Sequence, residues 1–225
     1  MLARIKRNQS GMTITELVIT ISLIGILSIG LLTSIAYYYI SVRRNQLYVN
    51  MTVDSQSLLR ATVEELRYGS GVRATNTIDD PNGPAGGWNT SNDSFVIIIA
   101  QPAQDSARDY IINPLTGAPY NNELVYFKEG STLFKRTLAH PDATDNNERT
   151  TCPKALESPS CSADSMLTDN LDDMIFTLYD QDSVVTTDPL LARSVNIYLA
   201  LRRITHGNEL ALDNNIRVTL RNRYQ

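Results

Sequence analysis

Histidine and cysteine, two residue types that carry much of enzyme and metal chemistry, are nearly missing from this chain. Its 225 residues include only His140 and His206. Neither lies in an HxxEH- or HExxH-like pattern, and both fall in stretches read as loops, where a histidine is an ordinary solvated side chain. Two cysteines are too few for a four-ligand structural zinc site. There is no GxSxG elbow and no phosphate-binding P-loop. Acidic residues cluster at Asp79-Asp80 and across positions 142–148, but without the spacing of an EF-hand. They read as solvated acidic loops rather than a calcium site. The sequence therefore points to no catalytic residue, no metal and no cofactor. A basic surplus is also missing: 20 Lys and Arg face 24 Asp and Glu. A nucleic-acid-binding body is expected to carry a basic surface, so direct nucleic-acid binding is not implied.

The longest gap concerns charge itself. Between Glu16 and Arg43 lie 26 residues, positions 17–42, with no ionisable acid or base except tyrosine. About 20 apolar residues span a bilayer. The run is preceded by Arg4, Lys6 and Arg7, which favour a cytoplasmic N-terminus. Tyr37-Tyr38-Tyr39 near its far end suit the membrane interface. A secretory signal has a shorter apolar core and a small-residue cut site after it. Here a glycine, Gly11, precedes the run, and a single carboxylate, Glu16, stands at its edge. A carboxylate there is costly unless something uses it.

What is present around those two residues is specific. Gly11-Met12-Thr13-Ile14-Thr15-Glu16 leads into Leu17-Val18-Ile19-Thr20-Ile21-Ser22-Leu23-Ile24-Gly25-Ile26-Leu27. This stretch resembles the N-terminus of type IV prepilins and pseudopilins. Gly11, Thr13, Glu16, Leu17, Ile21, Ile24, Gly25, Ile26 and Leu27 sit where that family puts them. Met12 stands where phenylalanine is usual. Thr33 lies near the place of a helix-distorting proline common in major pilins, which suits a minor pilin. The resemblance implies cleavage between Gly11 and Met12 by prepilin peptidase, a membrane aspartyl protease, followed by methylation of the Met12 amine. Glycine suits that cut because it lets a protease approach the backbone. Glu16 is then the registration charge, pairing with the N-terminal amine of a neighbouring subunit. The implied partners are other pilin or pseudopilin subunits, the peptidase, an inner-membrane assembly platform and the membrane itself. The implied destination is the cytoplasmic membrane, N-terminus inside, and then an extracytoplasmic filament. Removing residues 1–11 leaves 17 basic against 24 acidic side chains.

The expected organisation is a leader at 1–11, a filament-core helix at 12–42 and a globular domain at 43–225. Residues 43–68 contain neither proline nor glycine. Leu47, Met51, Leu58, Leu59, Val63 and Leu66 recur at mainly helical spacing, so this stretch continues the helix with one apolar face. Gly69-Ser70-Gly71 ends it. Gly25 and Gly30 interrupt the apolar half, either as close-packing points or as weak points in a filament.

Residues 70–93 read as loop by composition, and the sheet is expected from 94 onward. Phe95-Val96-Ile97-Ile98-Ile99 reads as a buried strand. Hairpins are expected around Glu129-Gly130-Ser131 and Asp180-Gln181-Asp182, the second joining 174–179 to 183–187. Asp169, Asp172 and Asp173 are assigned to a polar turn before Met174. Alternating strands follow around Val195–Leu201 and Ile216–Leu220, with Gly207-Asn208 between them. The fold class is α+β, a long N-terminal helix packed on an antiparallel sheet. A chain ending in a strand resembles the larger minor pilins and J-type minor pseudopilins. The region 140–164 is an irregular insertion, a kind of loop that often carries function. It holds Cys152 and Cys161. Beyond the membrane helix the chain is expected outside the cytoplasm, where disulfides persist. The two are therefore expected to be joined, with two free thiols as the alternative.

Overall fold

A computed structural model describes residues 11–205 and 208–220. The chain forms two compact units that meet between Tyr48 and Val49. One helix, α1 (Ile14–Tyr68), supplies the described structure of the first unit from its start and reaches into the second. Gly25 and Gly30 do not break it. Gly69 ends it for a steric reason. A Cβ there would lie 2.8 Å from the Glu65 carbonyl oxygen and 2.9 Å from that of Ala100. With no side chain, Gly69 donates to the Glu65 carbonyl at 2.7 Å, and Ser70 donates to Ala100 at 2.7 Å. The chain passes directly from helix to sheet.

The second unit holds two antiparallel sheets rather than the single one expected. The first has the order β1-β2-β3-β4-β5, with β1 at Gly71–Arg73, β2 at Ile97–Pro102, β3 at Asn121–Glu129, β4 at Thr132–Leu138 and β5 at Ser165–Thr168. The second has the order β7-β6-β8-β9, with β6 at Leu171–Tyr179, β7 at Val185–Thr186, β8 at Ser194–Thr205 and β9 at Asn208–Thr219. The Glu129–Thr132 and Tyr179–Val185 hairpins form as read, though β7 is only two residues long. Asp172 and Asp173 belong to β6 and not to a turn, because Leu171 and Met174 are both buried in that strand. Gly207 lies outside the described residues.

Within the second unit the helix lays down Met51, Ser55, Leu58, Leu59, Thr62 and Leu66 as its buried face. Apolar periodicity found four of these. Ser55 and Thr62 escaped it because they are small hydroxyls, and they bury by finding partners. Thr62 Oγ1 donates to the Leu58 carbonyl at 2.9 Å, and Asn214 Nδ2 of β9 donates to Ser55 Oγ at 2.6 Å.

The first sheet is buried on both faces. Ile97, Ile98, Ile99, Leu124, Val125 and Tyr126 are all essentially inaccessible. Tyr126 reaches α1. Ile98, Val125, Phe127 and Leu138 pack with Ile78, Trp88 and Val96. Of residues 70–93, read as loop from their composition, 71–73 form β1, and 74–96 form a covering layer over one face of the sheet; the strand read from Phe95 begins only at Ile97, because Phe95 takes a positive φ of 53° and Val96 pairs back with Ser91. The apolar anchors Ile78 and Trp88 stand alone in a polar stretch, so no periodic signal marks them.

Candidate functional site

The first turn of α1 carries the residues that the sequence singled out. Thr13 precedes the helix and Glu16 lies three residues on, the spacing of a capping box. The Thr13 backbone N–H and its Oγ1 donate to Glu16 Oε2, at 2.9 and 2.8 Å. In return the Glu16 N–H donates to Thr13 Oγ1 at 3.3 Å. Two of the otherwise orphaned N–H groups at the helix start, those of Thr13 and Glu16, gain partners, and the carboxylate is held on the turn that begins immediately after Met12. Gly11 is exposed with open space around its Cα, and Met12 is exposed as well. The apolar side chains that follow are also exposed. Among the described residues, α1 is the one helix long and apolar enough to cross a membrane, and its apolar window buries nothing within the protein. The Thr-x-x-Glu spacing of this box is written in the sequence itself.

A second set of buried polar side chains was not legible in the sequence. Three polar residues on β3 and β4 are buried, and each holds a loop. Glu123 is fully buried. Its carboxylate accepts from the Thr77 and Ile78 N–H groups at 3.0–3.2 Å and from Thr77 Oγ1 at 2.8 Å. Arg73 Nε lies 3.2 Å from Glu123 Oε1 yet makes no directed hydrogen bond, so Arg73 offsets charge only. Arg136 is buried between two carboxylates. It reaches Asp164 Oδ2 at 2.6 Å, Asp80 Oδ2 at 2.9 Å and the Asn82 carbonyl at 3.0 Å. Its guanidinium also faces the rings of Trp88 and Phe127. Burial alone would lower the Arg136 pKa, but Asp164 and Asp80 outweigh it and hold the group above its usual value. Asn122 accepts from the His140 N–H at 3.0 Å and from Asn146 Nδ2 at 2.7 Å. Residues 76–82, 140–146 and 150–164 are thus fixed by polar groups that would be costly if left unpaired.

Cys152 and Cys161 are bonded, with Cα atoms 5.9 Å apart. Thr151 donates to Asp164 at 2.8 Å, which ties this small loop to Arg136. His140 rests against Tyr120, with ring centroids 4.6 Å apart. Among the described residues no group of three His, Cys, Asp or Glu side chains has the arrangement of a metal site.

The α+β architecture of one long N-terminal helix packed on antiparallel sheets is pilin-like, and the glycine–glutamate signal straddles the start of that helix, with Gly11 before it and Glu16 on its first turn. Residues 6–32 match the family model described as the prokaryotic N-terminal methylation motif. The chain therefore carries the N-terminal signal of type IV prepilins and pseudopilins, which supports a pilin-type subunit that assembles with others of its kind. The match covers the signal and part of α1 and none of the sheets. No curated protein matches the chain.

Proposed function

We propose that this protein is the precursor of a minor pilin or pseudopilin of a type IV pilus-like filament. In this reading prepilin peptidase cuts between Gly11 and Met12, methylates the new amine, and leaves residues 12–42 as membrane anchor and later filament core. Residues 43–225 form the extracytoplasmic domain. Glu16 pairs with the Met12 amine of a neighbour, a pairing that lowers the cost of both charges in apolar surroundings. The observation that carries the reading is a carboxylate held on the first turn of α1, at the head of the charge-free run 17–42 and five residues after a glycine. No step of it needs an enzyme activity in this chain.

Intact-mass analysis of the membrane fraction tests the processing step. The expected chain begins at methylated Met12, and Gly11→Leu should accumulate uncut. A mature N-terminus elsewhere would remove the proposal. Glu16→Leu tests assembly. A plain anchor inserts better without that charge. A filament subunit inserts normally and is then lost from sheared filaments.

Two other readings share this N-terminus. A secretion-like piston and a DNA-uptake pilus differ from the first in gene neighbourhood rather than in any residue described here. A membrane-tethered binding module at the filament tip is favoured by one observation. The loops at 76–82 and 140–164 are surface segments fixed by buried polar clasps and a disulfide, and rigid loops suit recognition.

A further inference from the structure

The two sheets have four edges, and three of them are short. β1 has three residues, β5 has four and β7 has two. The fourth edge, β9, runs for 12 residues without proline or glycine. Its pairing to β8 is continuous from Ser194 with Thr219 to Thr205 with Asn208, and no bulge bends it away. Native proteins keep sheet edges short, bulged or guarded by charge, because an open edge is a template for another strand. Among the described residues no strand lies beyond β9.

The ladder fixes which groups face outward. The Leu220 N–H donates to the Arg193 carbonyl at 2.9 Å, in the same register as the strand. Antiparallel bonding alternates every second residue, so the even-numbered residues of β9 bond to β8. Ala211, Asp213, Asn215 and Arg217 aim both N–H and C=O at the open side, and no turn or loop bond among the described residues reaches them. The charges that could guard this edge are turned back across the sheet. Arg217 Nε donates to Ser194 Oγ at 2.9 Å, and its guanidinium lies 4.0 Å from the centre of the Tyr179 ring. Asp213 and Glu209 both face Arg202. Asn215 is exposed. The other face of the strand is unfinished. Leu212 and Ile216 are only half-buried, while Leu201 and Ile197, their partners on β8, are buried. One more strand would cover them.

We propose that β9 receives an extended strand from a different subunit of the filament. The edge itself specifies the chemistry of that strand. A backbone in β conformation supplies donors and acceptors at the two-residue repeat that Ala211, Asp213, Asn215 and Arg217 present. Apolar side chains at alternate positions of the incoming strand lie against Leu212 and Ile216, and polar ones lie beside Asn215. A donor from another chain suits a minor subunit, which has no adjoining copy to pair with. Strand addition rests on the filament reading given above and joins globular domains where that reading joins helices.

Proline at position 215 removes one outward N–H and no bond to β8, a place where an edge strand tolerates it. The full-length chain is expressed with its assembly machinery. Asn215→Pro should be processed, reach the membrane and melt like wild type, yet fall about tenfold or more in sheared filaments. Asn215→Ala keeps the N–H and should assemble like wild type. If Asn215→Ala is lost equally, the side chain and not the edge makes the contact, and strand addition is wrong. Residue-resolved hydrogen exchange reads the same edge in wild type, so the test survives a misfolded proline variant. In filaments the amides of Ala211, Asp213, Asn215 and Arg217 should slow about tenfold or more relative to the purified chain. Those of Leu212, Asn214 and Ile216 are already held by β8 and should change little. Unchanged exchange in filaments that contain the chain overturns strand addition and leaves the filament reading standing. If the purified chain already protects these amides and runs as a dimer, a second copy fills the edge and the different-subunit donor is wrong. If wild-type protein is absent from filaments altogether, the filament reading fails and strand addition fails with it.

Discussion

Arg136 shows how one side chain can set the cost of a whole region. Its two carboxylate partners, Asp80 and Asp164, are nearly inaccessible. Arg136→Met removes the cation and strands both charges away from water. Breaking a buried pair in this way costs about 3–5 kcal/mol, so urea unfolding should show a loss of that order. A change under 1 kcal/mol would mean that water already reaches the carboxylates. Tyr126 gives a pH-dependent case. Its hydroxyl donates to Glu65 of α1, which also accepts from Lys135 at 2.8 Å. Burial, together with the nearby Glu65 charge, pushes the phenol well above its ordinary value of 10.0. The unfolded chain therefore loses this proton first as pH rises. The stability tied to Tyr126 is fully present below pH ~10 and is lost as pH climbs toward the raised folded value. Urea midpoints should fall more steeply above pH ~10 in wild type than in Tyr126→Phe. Parallel curves would show that the phenol is not the group responsible.

At the scale of elements, the disulfide belongs to its loop and not to the sheets. It closes a nine-residue separation inside the 150–164 segment, which is also tied down through Thr150, Thr151 and Asp164. Closing so short a loop contributes roughly 2–3 kcal/mol by chain entropy. Cys152→Ser should keep both sheets and shed order within the loop. Hydrogen exchange should therefore rise at 150–164 and stay unchanged in β2, β3 and β8. Faster exchange throughout β3 would show that the loop supports the sheet. The helix is an instructive contrast. Its residues 49–68 carry a buried face legible at four apolar positions, while Ser55 and Thr62 became core only through partners supplied by β9 and by the helix itself.

For the whole molecule, the division at Tyr48 and Val49 makes a prediction about independence. The second unit holds both sheets and its own helical face. A fragment covering residues 43–225 should unfold cooperatively in water without detergent, because the hydrophobic burial that orders it does not involve the apolar run. Loss of near-ultraviolet circular dichroism in that fragment, with the full chain retaining it, would place part of the core's support in residues 1–42. The sequence by itself determined the N-terminal methylation motif, the apolar helix and its continuation to Tyr68, and most strands. Each of these is written in a short span of periodicity, charge or glycine. Only the tertiary structure decided that the strands divide into two sheets, that residues 74–96 cover one of them, and that Asn122, Glu123 and Arg136 clasp distant loops. Those outcomes depend on partners far apart in the chain, such as Glu123 with Thr77 and Arg136 with Asp80. A single buried polar residue in a strand leaves no local pattern from which its partner can be read.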